Sequence, residues 1–78
     1  MLEYCTLEER FETEETGPYR SYGLRLVERL DNSEMEVLTF SDISTRREVV
    51  DDMARRFTEQ QLHPIHLRDV VEDLLAKQ

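Results

Sequence analysis

The residues with the clearest potential for chemistry are two histidines near the end of the chain. His63 and His66 are three residues apart, and Asp69 follows three residues later. Imidazole nitrogens and carboxylate oxygens bind divalent metals, and on a helix His66 and Asp69 would share one face. His63 precedes a proline and therefore lies outside the helix, and no second cluster of ligands is visible. We favour a structural role for His66 in the first helical turn, with a metal site at the three residues as the alternative.

Three hydroxyl side chains and one thiol are the other candidates for reactivity. Ser41, Ser44 and Thr45 lie in one short segment, but no glycine-rich elbow or oxyanion element accompanies them. Turn formation and capping of the following helix explain all three hydroxyls. Neighbouring glutamates raise the pKa expected for the Cys5 thiol, which disfavours a reactive cysteine. The sequence therefore predicts no catalytic residue, no cofactor and no enzyme.

The composition is that of one small acidic domain spanning residues 1–78. The 78 residues carry a net charge of -8, with 38% hydrophobic and 36% charged residues. This charge opposes binding to nucleic acid or to anionic lipid. No apolar run exceeds three residues, which predicts no membrane-spanning helix, and no signal peptide is recognisable. A single cysteine allows no internal disulfide, so we expect a cytoplasmic protein.

Alternation of apolar side chains predicts three strands in the first part of the chain. The predicted strands cover residues 2–11, 19–30 and 35–40. Gly17 and Pro18 form one turn signal, and residues 31–33 form another. Links this short allow only an antiparallel meander. Gly23 inside the middle strand predicts a bulge or a close backbone contact.

The apolar period changes to that of a helix after residue 44. Thr45 and Glu48 fit a capping box, and an apolar stripe follows at Val49, Val50, Met53 and Phe57. A second helix is expected to begin at Pro64. Its predicted buried stripe comprises Ile65, Leu67, Val70, Val71, Leu74 and Leu75. The order β-β-β-α-α predicts an α+β fold with both helices packed on one face of the meander.

Three segments in the last two thirds of the chain carry a resemblance. They are the Tyr-Gly-Leu of residues 22–24, the Ser-Asp-Ile-Ser-Thr of residues 41–45, and the Pro-Ile-His-Leu-Arg-Asp-Val-Val-Glu-Asp of residues 64–73. In this order they resemble an uncharacterised family of small Firmicutes proteins known only as a domain of unknown function. The resemblance implies a bacterial cytoplasmic protein and supplies no catalytic residues. His63 departs from the small polar residue typical of that family, which leaves the helix without a preferred N-cap.

The polar side chains of the last predicted helix offer two interpretations. Arg68 and Glu72 are four residues apart and suit a surface ion pair. Alternatively, Arg68 reaches the turn that contains Asp42 and stabilises the fold by joining two of the resembling segments. The acidic edge formed by Glu72 and Asp73 is a further candidate for contact with a partner.

A two-layer domain covers only one face of its sheet. Odd- and even-numbered residues of a strand face opposite sides, yet both sets contain apolar residues in the predicted strands. Val27 and Val37 are the candidates for an exposed apolar patch on the uncovered face. Such a patch marks an interface, although a bulge that switches parity explains the same pattern. We therefore predict a non-enzymatic protein-interaction module that forms a homodimer or binds another protein. The alternative is a small metal- or ligand-binding protein that uses His63, His66 and Asp69.

Overall fold

The three predicted strands form one antiparallel sheet in a computed structural model of the chain, which describes residues 1–77. The strands are β1 (Leu2–Thr13), β2 (Gly17–Leu30) and β3 (Ser33–Ser44), and the helices are α1 (Arg47–Gln60) and α2 (Leu67–Ala76). A 3-10 turn at Pro64–His66 precedes α2. The sheet order β1-β2-β3 with two following helices confirms the predicted α+β fold.

The core lies between the helices and one face of the sheet. Its buried side chains are Tyr4, Leu24, Leu26, Ile43, Val50, Met53, Ala54, Phe57, Leu67 and Val71. The Tyr4 ring meets the Phe57 ring edge-on, with centroids 5.5 Å apart. The Tyr4 hydroxyl donates a 2.6 Å hydrogen bond to the carbonyl oxygen of Leu62. Tyr4 therefore joins β1 both to α1 and to the connection that follows it.

Strand β3 is longer than predicted because it passes through two irregularities. Its residues 41–43 lie opposite Gly23 alone, and Val37 has no direct partner on β2. Asp42 adopts a left-handed conformation with φ 53°. An added residue kinks a strand and breaks the alternation of its side chains. Apolar periodicity therefore predicts an end at residue 40, whereas the strand continues to Ser44.

Gly23 is required by the close passage of β3, as the sequence predicts. A Cβ atom at residue 23 would collide with the carbonyl oxygen of Phe40. The same atom would lie 2.9 Å from a carboxylate oxygen of Glu9 and 3.1 Å from the Cα of Ser41. The irregular part of β3 thus depends on the absence of a side chain on β2.

The starts of both helices differ from the prediction. The Thr45–Glu48 capping box is wrong, because α1 begins at Arg47 and its N-cap residue, Arg46, makes no side-chain capping bond. Before α2, His63 caps the 3-10 turn, since its Nδ1 accepts a 3.2 Å hydrogen bond from the amide of Ile65. Ile65 is 75% exposed and does not belong to the buried stripe. The 3-10 turn changes the angular spacing of its residues, and so rotates Ile65 away from the core.

Candidate functional site

The two histidines and Asp69 do not assemble into a metal centre. The Nδ1 atom of His63 is already used as an acceptor for the amide of Ile65. His63, His66 and Asp69 are all exposed. Over residues 1–77, no group of three or more histidine, cysteine or acidic side chains is placed to hold a metal ion. The alternative hypothesis of a metal-binding protein therefore has no site in the described part of the chain.

The candidate nucleophiles take part in local structural bonds or point to solvent. Ser44 Oγ accepts a 3.1 Å hydrogen bond from the amide of Arg46, just before α1 begins. Ser41 and Thr45 are exposed. The Cys5 thiol donates to the Glu3 carboxylate at 3.5 Å. Burial raises the pKa of this thiol, and the Glu3 carboxylate raises it further, so the thiolate is disfavoured.

Four polar side chains meet at the irregular segment of β3, and three of them were missed by the sequence interpretation. The Asp42 carboxylate accepts hydrogen bonds from Ser21 Oγ at 2.6 Å and from the Tyr19 hydroxyl at 3.3 Å. The amide of Asp42 donates to the Glu9 carboxylate at 3.1 Å. Ser21 is fully buried and also donates to the Ser44 carbonyl oxygen at 3.2 Å. This Asp42 cluster holds the left-handed residue in place.

The signal for the Asp42 cluster lies in the register of the strands, which periodicity alone does not provide. Glu9 lies directly opposite Ser21, and Tyr19 is two residues from Ser21 on the same face. Desolvation, followed by the charge of Asp42, raises the pKa of the Tyr19 phenol. The cluster combines a serine with two carboxylates and no imidazole base. Its bonds stabilise backbone geometry and do not activate a nucleophile.

Arg68 contacts β3, but the predicted link to Asp42 is wrong. Its guanidinium lies over the Phe40 ring, 5.8 Å from the centroid, in a cation–π contact. Asp42 is instead bound by the hydroxyls of Tyr19 and Ser21. Among the ion pairs of residues 1–77, none joins Arg68 to Glu72, whereas Asp73 pairs with Lys77 at 3.0 Å. The contact between α2 and β3 is therefore aromatic in character.

Ion pairs cover the second face of the sheet at the end where β1 begins. Val27 is only 3% exposed, although it lies outside the main core cluster. The register places Glu3 and Glu36 directly opposite Val27 on its two sides. Arg29 pairs with Glu3 at 2.8 Å, and Arg25 pairs with Glu36 at 3.6 Å. The prediction that Val27 contributes to an exposed patch is therefore wrong.

The outer edge of β1 is closed by side chains from the end of α1. The Gln61 amide accepts a hydrogen bond from Leu2 N at 2.9 Å and donates one to Leu2 O at 2.8 Å. The Thr58 hydroxyl accepts from Tyr4 N at 2.9 Å and donates to Tyr4 O at 3.4 Å. These side chains occupy the positions that a fourth strand would take. Here the helix protects the sheet from edge pairing.

The outer edge of β3 has no comparable cover. Leu38 and Phe40 lie opposite Leu26 and Leu24. Leu2 and Tyr4 direct their backbone N–H and C=O groups outward, to side chains at the end of α1. Because these directions alternate along antiparallel strands, the backbone groups of Leu24 and Leu26 face β3. Those of Leu38 and Phe40 face back towards β2. The N–H and C=O of Thr39 therefore point away from the sheet, and no side-chain, turn or cap hydrogen bond of residues 1–77 uses them. Thr39 itself is exposed.

Exposed apolar side chains accompany this open edge. Met35 is 59% exposed and Val37 is 43% exposed, and both belong to β3. Leu30, at the end of β2, is 53% exposed. Of the two valines predicted for an exposed patch, Val37 is exposed and Val27 is not.

The geometry defines a small α+β protein in which side chains close the β1 edge of the sheet. The chain belongs to the family of unknown function DUF6514, whose profile matches residues 1–77. This match confirms the predicted resemblance and extends it over β1, where the sequence segments did not suggest one. No curated protein and no solved structure matches the chain. Within residues 1–77, the helices are too short and too polar to cross a membrane.

Proposed function

We propose that this protein is a small non-enzymatic interaction module that self-associates as a homodimer through the β3 side of its sheet. One observation carries the proposal, namely the difference between the two edges. The β1 edge is hydrogen-bonded by Thr58 and Gln61, whereas the alternation of β3 directs the backbone N–H and C=O of Thr39 outward, away from β2. An open strand edge is a template for pairing with another strand.

The side chains around the open edge support association over catalysis. Met35 and Val37 add exposed apolar area beside the free backbone groups, and burial of such area is the main driving force of protein association. The fully buried Ser21 is committed to Asp42 and to the Ser44 carbonyl. The polar groups that lie deepest in the sheet therefore stabilise its shape.

Sedimentation equilibrium of the full chain tests the proposal. Between about 1 and about 100 micromolar, we expect the mean mass to rise from that of a monomer to that of a dimer. The Cys5→Ser variant, run beside the wild type under reducing conditions, controls for a disulfide between copies. A strict monomer throughout this range would remove self-association from the proposal.

A further inference from the structure

We propose that β3 pairs with β3 of a second copy in an antiparallel ladder centred on Thr39. The proposal rests on the self-association proposed above and specifies where and how it occurs. The two copies would share one continuous sheet of six strands. Since the two-fold axis is perpendicular to such a sheet, both helix layers would lie on the same face.

The backbone of β3 offers one well-defined pairing position. Between the irregularities at Val37 and at residues 41–43, the strand is regular, with Leu38 and Phe40 directed towards β2. Thr39 is the residue between them and directs its N–H and C=O outward. In an antiparallel pair centred here, each Thr39 donates to and accepts from the other, which forms two hydrogen bonds.

The side chains of β3 are self-complementary about this centre. Residues 37–41 read Val-Leu-Thr-Phe-Ser and contain no charge. Pairing about Thr39 places Leu38 of one copy opposite Phe40 of the other, and Thr39 opposite itself. Aromatic–aliphatic and threonine–threonine pairs are both favourable across strands. Leu38 and Phe40 are half-buried in the single chain and would lose further exposed area.

The charges that flank this stretch favour a second copy over a basic peptide. Glu34 and Glu36 contact Arg25 at 3.9 and 3.6 Å, and Glu34 also pairs with Arg29 at 3.3 Å, so both carboxylates already have basic partners. A basic segment would find few free carboxylates there, whereas an uncharged segment of the same protein meets no repulsion at the centre.

The same flanking residues limit the length of the pairing. In a ladder centred on Thr39, Glu36 of one copy approaches Asp42 of the other, and like charges opposite each other are destabilising. Asp42 also leaves the regular strand geometry, with φ 53°. The ladder would therefore be regular only over residues 38–40 and would end at residues 37 and 41.

A proline substitution at residue 39 tests the proposed ladder. Thr39→Pro removes the outward N–H and leaves the bonds between β3 and β2 intact, since edge strands tolerate proline where the N–H faces solvent. Thr39→Ala is the matched control, because it removes the side chain and keeps the N–H. Each dimer of Thr39→Pro would lose two hydrogen bonds, so we expect its dissociation constant to exceed that of Thr39→Ala by about 30-fold. Circular dichroism of both variants verifies that they fold.

A spin label provides a second measurement that does not depend on the proline. Thr39→Cys in a Cys5→Ser background carries a nitroxide, and Glu14→Cys in the β1–β2 turn carries the control label. The two copies of residue 39 would have Cα atoms about 5.5 Å apart, close enough for strong dipolar broadening. We expect broadening at residue 39 and none at residue 14.

The outcomes separate this inference from the proposed function. A dimer that shows equal dissociation constants for Thr39→Pro and Thr39→Ala, or no broadening at residue 39, overturns the β3 ladder and leaves self-association standing. A wild-type monomer overturns both.

Discussion

Two residues without charge or reactivity, Gly23 and Ser21, determine the local shape of the sheet. Gly23 leaves room for the carbonyl of Phe40, and Ser21 holds the carboxylate of Asp42 from a fully buried position. Together they allow β3 to add residues opposite β2 without losing its place in the sheet. The left-handed Asp42 is stable because hydrogen bonds reach it from β1 and β2.

The collision at Gly23 leads to a prediction for stability. Gly23→Ala should lower the free energy of unfolding by about 1–3 kcal/mol, because the new methyl group would displace the backbone of β3. Urea unfolding followed by circular dichroism measures this change. Gly17→Ala is the control, since residue 17 has open space around it and only the left-handed φ of 70° to oppose a side chain. Its cost should come from that φ alone, about 1 kcal/mol, and a Gly23→Ala variant as stable as the wild type would contradict the close contact.

The Glu3–Arg29 pair leads to a prediction for pH dependence. Hydrogen bonds from Arg29 at 2.8 and 3.0 Å, followed by one from Cys5, lower the pKa of Glu3 below 4.5. A lowered pKa in the folded state means that the ionised Glu3 stabilises the fold above pH 4.5, and that this contribution is lost as the pH falls through the folded-state pKa.

Glu3→Gln tests this sign. Near neutral pH its Tm should lie about 2–4 °C below that of the wild type, as expected for one surface pair in a domain of this size. The difference should shrink towards zero in acid. Thermal unfolding across this pH range, with the exposed Glu15→Gln as control, measures the effect. A difference that grows in acid would contradict the assignment.

Side-chain roles were harder to predict than side-chain positions. In the predicted helical stripe, Val50, Met53 and Phe57 are buried, and Val49 is half-buried. The burial of Val27 was not predicted, because it depends on ion pairs between residues of different strands. Arg68 was expected at a carboxylate and contacts the neighbouring aromatic ring instead, since Asp42 is already occupied.

At the scale of the elements, α1 has two roles, because it covers the core and also closes the edge of β1. The helix ends at Gln61 in a left-handed conformation with φ 52°. In this conformation the side-chain amide of Gln61 hydrogen-bonds both the N–H and the C=O of Leu2. One residue thus ends the helix and terminates the sheet.

Removing Gln61 should open the Leu2 end of the β1 edge, although Thr58 still covers Tyr4. Gln61→Gly removes the amide and suits the left-handed φ, so strain does not confuse the result. We expect a loss of about 1–3 kcal/mol in the free energy of unfolding from the three hydrogen bonds of the Gln61 amide, two to Leu2 and one to the Thr58 carbonyl oxygen. We also expect species larger than a dimer in sedimentation velocity. Gln60→Ala, at the exposed neighbouring residue, is the control, and an unchanged mass distribution for Gln61→Gly would contradict the protective role.

The order of the elements could be predicted from the sequence, whereas their ends could not. Period-two alternation and two turn signals identify the meander, and the change to a helical period identifies α1 and α2. The end of β3 and the start of α1 were missed for one physical reason. The strand continues through residues 41–44, three of which are polar, by hydrogen bonds to Ser21 and Glu9, and so shifts the first helical residue to Arg47.

On the scale of the whole molecule, the net charge of -8 opposes any contact between two copies. The proposed ladder has no charge at its centre, so the opposition comes from the more distant surface and is sensitive to salt. Raising the ionic strength from about 0.01 to about 0.15 M shortens the Debye length from about 30 to about 8 Å. We expect the dissociation constant of the dimer to fall by about three- to tenfold.

Sedimentation equilibrium at both ionic strengths measures this effect. The control is a series with sucrose in place of salt, which changes the solvent without screening charge. A dimer that weakens as salt is added would indicate attraction between opposite charges across the interface, in conflict with the uncharged centre of residues 37–41.

The closure of the β1 edge also sets an order of events during folding. Leu2 and Gln61 are 59 residues apart, and Tyr4 and Thr58 are 54 residues apart. The two hairpins of the meander join residues much closer in sequence, and contacts that are local in sequence form faster than distant ones. A folding chain therefore has a sheet with two unprotected edges until α1 docks on β1. The protein is most exposed to pairing between chains in this interval.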